Sequence, residues 1–265
     1  MSTAAASHRN EASREATLAL LLAGLTVGCW AALWAWSASP YARYLEHAGW
    51  GDASSLGALC TTIVVPTAVH ALAWALMIAA MMLPTTWPLL ATFRKLAASQ
   101  PGRDTLVAEV VVGFFLVWLV FGGLAHAADL ALRAIAQRSS WLALHGWVVA
   151  AAVLAAAGAF QFSALKYRCL EACHAPFSFV AARWGGVTPG RDAFRIGIDH
   201  GIFCVGCCWA LMLVMFIVGL GSIGWMLALA AVMAAEKNLR WGRHLRAPLG
   251  AGLIAWSGAL VVANL

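Results

Sequence analysis

The stretch that decides the fold is Leu106–Ala128, which reads LVAEVVVGFFLVWLVFGGLAHAA. Its 23 residues contain a single carboxylate, Glu109, and as a helix they are long enough to cross about 30 Å of hydrocarbon. The run is continuously apolar and lacks the apolar–polar alternation of barrel strands. It therefore predicts a membrane-spanning helix, in which every backbone polar group is satisfied within the segment.

The whole chain has the composition of a membrane protein. Its 265 residues are 63% hydrophobic and 11% charged, with a mean hydropathy of +0.82. A soluble domain is about half apolar and about a quarter charged, so this chain has too little charge to cover a globule in water. The 14 tryptophans, many near the ends of apolar stretches, suit the aromatic belt at a membrane interface. The composition thus excludes a soluble globular domain.

Similar stretches on both sides of this one predict an all-α, polytopic transmembrane helix bundle of about seven spans. The expected spans are Ala16–Trp36, Ala68–Leu90, Leu106–Ala128, Gly146–Leu165, Gly197–Leu220, Ile223–Glu236 and Ala247–Leu265. Residues 1–15 would be a short cytoplasmic tail, and residues 16–265 a single transmembrane domain. A six-span arrangement stays open, in which the penultimate segment is re-entrant or merges with the fifth.

The positive charges predict the orientation. With the N-terminus inside, 14 of the 17 Lys and Arg residues fall in inner segments, and only Arg43, Arg133 and Arg138 fall outside. Cytoplasmic loops of inner-membrane proteins carry such an excess. We therefore expect an N-in, C-out protein of a bacterial inner membrane. The net charge of +6 is then explained by topology, and no nucleic-acid partner is expected.

Polar side chains inside spans are costly and mark candidate functional sites. The strongest group is His200, Cys204, Cys207 and Cys208, which share one helical face, with Met212 further along. Imidazole, thiolate and thioether ligands together favour Cu(I), Zn(II) or iron. One cysteine would be explained as a small buried hydrophobe, but three within five residues of each other indicate metal or redox chemistry.

A second group lies at the cytoplasmic end of the fourth expected span. Cys169 and Cys173 are four residues apart, so a helix directs both thiols to the same side, and His174 follows. Because the fourth and fifth spans are joined on that side, all five thiols are expected at one depth. Unpaired cytosolic thiols without a function are the alternative.

A third group consists of methionines and histidines outside these two segments. Met81 and Met82 lie near the same depth as the cysteines, although methionines in apolar helices are more often packing residues. Around the metal ligands, the expected supporting groups are Asp199, His174, Glu109 and Glu236. Near the outer face, His70, His126 and Asp129 are candidates for a separate site, with ordinary interfacial histidines as the alternative.

Four segments resemble a bacterial family catalogued as predicted metal-binding integral membrane proteins, a domain of unknown function. They are Met81–Pro84, Phe160–Cys173, His200–Met212 and Trp225–Lys237. The resemblance implies an inner-membrane location and metal binding through the cysteines and histidines, and it supplies no reaction. His174 departs from the family, where an arginine is expected, so it is a less dependable ligand than the cysteines.

The lead hypothesis is a transition-metal site, with copper favoured over zinc or iron, that accepts, relays or delivers the ion. Its expected ligands are Cys169, Cys173, Cys204, Cys207, Cys208, His200, Met81, Met82 and Met212. The expected partners are the lipid bilayer and a metallochaperone or another membrane protein. Haem is disfavoured, because the chain has no CxxCH motif and only His70 and His126 would lie at matched depth.

Two alternatives remain open. Cys204 and Cys207 form a CxxC that we expect at a helix start, where the helix dipole favours a thiolate, so a membrane thiol–disulfide oxidoreductase is one. The other is a non-catalytic subunit or assembly factor of a metal-containing membrane enzyme. The residues favour a non-enzymatic role over either a thiol or a metal-dependent oxidoreductase.

Overall fold

The computed structural model describes residues 2–39, 65–139, 141, 144–218, 222–239 and 241–265, and within these ranges the chain is helical without a strand. The all-helical fold class is thereby confirmed. Within the described residues, 3₁₀ turns occur at Pro84–Thr86 and Gly242–Leu245. The α-helices are α1 Ser2–Ser37, α2 Val65–Met81, α3 Trp87–Leu96, α4 Arg103–Arg138, α5 Gly146–Phe160, α6 Ala164–His174, α7 Pro176–Ala181, α8 Pro189–Val218, α9 Ile223–Asn238 and α10 Arg246–Asn264.

Four helical segments are long and apolar enough to cross a membrane: Glu15–Ser37, Arg103–Arg138, Pro189–Met215 and Gly242–Asn264. Two bent pairs, α2 with α3 and α5 with α6, raise the count to six if each pair is one span. The described helices thus support at most six spans, fewer than the seven expected. The difference is α9, whose 16 residues extend about 24 Å at about 1.5 Å per residue, less than the thickness of the hydrocarbon.

The bend between α2 and α3 follows from Pro84. Proline has no N–H, so the carbonyl of Ala80, four residues earlier, loses its helical donor. The indole N–H of Trp30 on α1 donates to that carbonyl at 3.2 Å. The helix direction changes by 42° at this point. The bend ends α2 at Met81, and it leaves Met82 at a helix end inside the bundle.

The bend between α5 and α6 is larger, at 61°. Ser163 caps α6, because its side chain accepts a hydrogen bond from the Lys166 N–H at 3.1 Å. Gln161 and Lys166 flank this cap, and both side chains are buried. The bend directs the cysteines of α6 toward α8.

Helix α8 is held closely against α4 by small residues. A Cβ atom on Gly197 would lie 2.1 Å from the carbonyl oxygen of Val110, and one on Gly113 would lie 2.4 Å from that of Phe194. Only glycine permits such a close approach of two helix backbones. On the other side of the bundle α10 packs on α5, where Ser257 donates to the Ala151 carbonyl at 2.7 Å. Helix α8, which carries three cysteines, is thus fixed in position.

Candidate metal centre

Three sulfur atoms surround one buried ammonium group. The Nζ atom of Lys237 lies 2.9 Å from the Cys204 Sγ, 3.5 Å from the Met82 Sδ and 3.7 Å from the Cys208 Sγ. All four side chains are at least 95% buried. The ammonium therefore occupies a place where two thiols and a thioether converge on a single cation.

Each member of this group comes to the site for a local reason. Cys204 and Cys208 are four residues apart on α8 and so face the same way. Met82 follows the last residue of α2, where Pro84 prevents the helix from continuing. Lys237 lies in the last turn of α9, which is too short to carry it out of the bundle.

The third cysteine of α8, Cys207, connects this group to α6. Its thiol and that of Cys208 donate to the Cys204 carbonyl, at 3.0 and 2.9 Å. The Cys173 thiol on α6 is a close neighbour of the Cys207 thiol. The structure thus brings the cysteines of α6 and α8 together, as the topology suggested.

Cys169 has a different environment. Its Sγ atom would be 2.6 Å from a Cβ added to Gly206, so the thiol packs against the α8 backbone at that glycine. Gly206 lies on the opposite side of α8 from Cys204, by helical geometry. Cys169 therefore contributes to the contact between α6 and α8, away from the sulfur atoms around Lys237.

A buried ion pair lies next to the sulfur atoms. The Lys166 ammonium on α6 donates to both carboxylate oxygens of Glu236, at 2.7 and 2.9 Å, and also to the Gln161 side-chain oxygen. The His174 Nε2 lies 2.7 Å from the Glu236 carbonyl oxygen. Glu236 and His174, expected to support a metal, thus join the end of α9 to α6.

His200 is buried one turn before Cys204, between two aromatic rings. Its ring centroid is 5.8 Å from that of Phe114 and 5.8 Å from that of Phe179, and its Nδ1 atom has no hydrogen-bond partner among the described residues. Asp199, which was expected to orient His200, instead accepts a hydrogen bond from the Arg183 Nε at 2.7 Å. The sequence did not reveal this arrangement, because it depends on where α7 packs.

The remaining expected residues of the inner site are Met81, Met212 and Glu109. Met81 and Met212 are buried in the same apolar core as the cysteines. Glu109 is half-buried on α4. Among the described residues, no hydrogen bond joins any of these three to the sulfur atoms around Lys237.

At the other end of α2 and α4, the structure brings two expected residues together. The rings of His70 and His126 are stacked, with centroids 4.2 Å apart and planes inclined by 21°. Stacked rings do not face each other across an iron atom, as haem ligation by two histidines requires. Asp129 is half-buried one turn after His126. Of the two isolated cysteines, Cys29 is buried in the core, and Cys60 lies outside the described residues.

The nine expected ligands do not form a single site. Throughout the part of the chain that the structure describes, no three His, Cys, Asp or Glu side chains are placed to hold one ion together. The reason is geometric: Cys204 and Cys208 face α9, Cys207 faces α6, and Cys169 packs on Gly206. What the structure provides is a cluster of two thiols and a thioether, with Cys207 and Cys173 adjacent. We call Met82, Cys204 and Cys208 the sulfur cluster.

The expected helix start at the CxxC is wrong. Helix α8 begins at Pro189, 15 residues before Cys204. The field of a helix terminus acts mainly within its first turn, so it does not activate this thiol. The cation close to Cys204 is instead Lys237.

Lys237 and Lys166 were not among the expected site residues, because their positions in the sequence place both in charged inner segments. Both side chains are at least 95% buried. One signal was available for Lys237: Ile223–Asn238 contains no proline and no glycine after Gly224, so the helix can continue through the charged pair at its end. No signal of this kind was available for Lys166, since its burial results from the bend at Ser163.

Comparison with known proteins identifies the family of this chain. No curated protein and no solved structure matches the chain. The family model of PpoB2, described as a copper chaperone, matches residues 71–260. This range is more than half of the chain, and it includes the sulfur cluster, Lys237 and the cysteines of α6. The chain therefore belongs to the PpoB2 copper chaperone family.

Proposed function

We propose that this protein is a membrane-embedded copper chaperone, and that its cargo Cu(I) binds at the sulfur cluster. The observation that carries the proposal is the convergence of the Met82, Cys204 and Cys208 sulfur atoms on one cation, the Lys237 ammonium. Thiolate and thioether ligands favour soft metal ions, of which Cu(I) is one. A structural zinc site takes four N, S or O ligands, commonly Cys and His, whereas a thioether is a ligand for copper.

Cys207 and Cys173 give the ion a route out of the cluster. Cys207 lies between the cluster and α6 and interacts with Cys173. Beyond Cys173, α6 ends at His174, which borders a cleft of about 620 Å³ lined also by Tyr167, Glu171 and Arg243. Exchange of Cu(I) between neighbouring thiolates would move it stepwise from the buried cluster toward this cleft. There a soluble metallochaperone or a copper enzyme could give or receive it.

The surface of the bundle supports a location in a lipid bilayer. One face of α4 is an apolar stripe at four-residue spacing, all of it exposed: Val112, Leu116, Val120 and Leu124. In water such a patch would need a protein partner. We place the chain in a bacterial inner membrane with its N-terminus inside and with the charged α3–α4 and α7–α8 connections on the cytoplasmic side. The cleft then faces the cytoplasm.

Copper binding tests the proposal. The purified protein in detergent is loaded anaerobically with Cu(I), and its affinity is measured by competition with a Cu(I) chelator. Loss of a group that only supports the ligands weakens metal binding by up to about 100-fold. Because Cys204 and Cys208 are themselves the ligands, Cys204→Ser and Cys208→Ser should each weaken binding by more than about 100-fold. Met82→Leu should have a smaller effect, because a thioether is a weak, neutral ligand.

Cys29→Ser is the matched control, since Cys29 is also a buried cysteine but lies on α1. It should bind Cu(I) as the wild type does. If the wild type binds no more Cu(I) than a variant lacking both Cys204 and Cys208, the proposal fails. A Cys204–Cys207 disulfide whose formation depends on quinone would then favour the oxidoreductase.

A further inference from the structure

We propose that Lys237 makes the sulfur cluster selective for a monovalent metal ion over a divalent one. The inference rests on the proposed function and adds to it the residue that determines specificity. It starts from the position of the Lys237 ammonium, within 3.7 Å of all three sulfur atoms of the cluster.

Among the described residues, no carboxylate compensates the charge of the buried Lys237 ammonium. The adjacent Glu236 is already engaged with Lys166, so those two charges cancel. Among the described residues, the hydrogen bonds of the Lys237 ammonium go to sulfur atoms alone. An isolated buried charge is strongly unfavourable, and a negative charge on the cluster would offset it. The site is therefore built for an anionic complex next to Lys237.

The charge of the metal complex depends on the ion. Two thiolates, from Cys204 and Cys208, bind Cu(I) as a complex of charge −1, because the Met82 thioether is neutral. Together with the Lys237 ammonium the site is then neutral. Two thiolates bind a divalent ion as a neutral complex, and the ammonium then leaves the site with a net charge of +1. In a buried environment a neutral site is favoured, so Lys237 favours Cu(I) over Zn(II).

Nearby groups do not change this balance. Cys207 lies outside the sulfur cluster and keeps its S–H on the Cys204 carbonyl, whereas Cys208, which donates to the same carbonyl in the metal-free protein, loses its proton when it binds the ion. The Lys166–Glu236 pair contributes no net charge. Arg183, which follows α7, pairs with Asp199 on α8.

Selectivity can be tested without a variant. Ag(I) and Cd(II) both prefer thiolate ligands, but they differ in charge. The ratio of Ag(I) to Cd(II) affinities in the wild-type protein should exceed that of a free dithiol chelator at least tenfold, each metal being supplied alone and measured by competition. A ratio no larger than that of the dithiol would overturn the inference and would leave copper binding intact. If the wild type binds neither Ag(I) nor Cu(I), the proposed function itself fails.

Substitution of Lys237 then tests the residue. Lys237→Gln should lower the ratio of Cu(I) to Zn(II) affinities at least tenfold, whereas Lys237→Arg, which keeps the charge, should restore most of it. Lys95→Gln, at an exposed lysine, is the control and should leave the ratio unchanged. A ratio in Lys237→Gln within twofold of the wild type would show that Lys237 does not select the ion. Should Lys237→Gln fail to fold, the comparison of Ag(I) and Cd(II) decides.

Discussion

At the scale of single residues, the interior of this bundle is organised by two buried lysines with different partners. Lys166 pairs with a carboxylate, and the pair holds the end of α9 against α6. Lys237 has sulfur atoms as partners, at the place where copper would bind. Two consecutive residues of α9, Glu236 and Lys237, thus serve stability and specificity separately. Substitution of Glu236 should therefore change stability, whereas substitution of Lys237 should change metal selectivity.

The ion pair gives the first prediction about stability. Glu236→Gln leaves the Lys166 ammonium buried without its counter-charge, so the free energy of unfolding should fall by about 3–5 kcal/mol. Replacing both partners, in Lys166→Met with Glu236→Gln, should cost less than Glu236→Gln alone, because no charge is then left unpaired. Tryptophan fluorescence during denaturant unfolding in detergent measures these changes.

The matched control is the exposed pair of Lys95 and Glu15, whose charged atoms are 3.6 Å apart. Exposed pairs contribute about 0–1 kcal/mol, so Glu15→Gln should change little. A loss in Glu236→Gln no larger than that in Glu15→Gln would mean that the buried pair does not stabilise the fold.

Part of the site could be predicted from residue spacing alone. Helical periodicity placed Cys204 and Cys208 on one face, and the loop between the fourth and fifth spans placed the cysteines of α6 nearby. Spacing could not show that Cys169 packs on Gly206 or that Lys237 turns inward. Both depend on how α6 and α9 cross α8, which is a property of tertiary packing.

At the scale of elements, the bends in α2–α3 and α5–α6 bring the site residues into the bundle. Hydropathy located the apolar segments to within several residues, because burial in lipid requires a long apolar run. It treated the segments as straight. Pro84 signals the first bend, whereas the second depends on the Ser163 cap and on the burial of Gln161 and Lys166.

The first bend gives a prediction about its hydrogen bond. Trp30→Phe removes the donor to the Ala80 carbonyl, which Pro84 has already deprived of its helical partner. The buried carbonyl would be unsatisfied, and the expected cost is about 1–3 kcal/mol. In a Pro84→Ala background the new Ala N–H can donate to Ala80, so Trp30→Phe should cost much less there.

Unfolding of the four proteins of this double-mutant cycle measures the coupling between the indole and the proline. Equal costs of Trp30→Phe in the two backgrounds would mean that the indole does not replace the missing helical donor. In that case the packing of Trp30 alone would account for its contribution.

At the scale of the whole molecule, orientation determines which side of the membrane the cleft beside His174 faces. Fourteen of 17 cations were assigned to the inside, and three of these, Arg94, Lys166 and Lys237, are buried in the bundle. Removing them leaves eleven inside against three outside. The excess that governs orientation is carried by loops, so the inference of an inside N-terminus is unchanged.

Helix α4 allows a direct test of that orientation. Its 36 residues extend about 54 Å, so Ser99 before it and Gln137 near its end should lie on opposite sides of a bilayer. In a Cys60→Ser parent, Ser99→Cys and Thr188→Cys should react with a membrane-impermeant maleimide only after permeabilisation, whereas Gln137→Cys should react in intact spheroplasts. All three positions are exposed on the bundle, and all the described native cysteines except the half-buried Cys173 are buried, which keeps the background low.

Reaction of Ser99→Cys and Thr188→Cys in intact spheroplasts, with Gln137→Cys protected, would reverse the orientation. The cleft beside His174 would then face away from the cytoplasm, and the copper donor or acceptor would have to be extracytoplasmic.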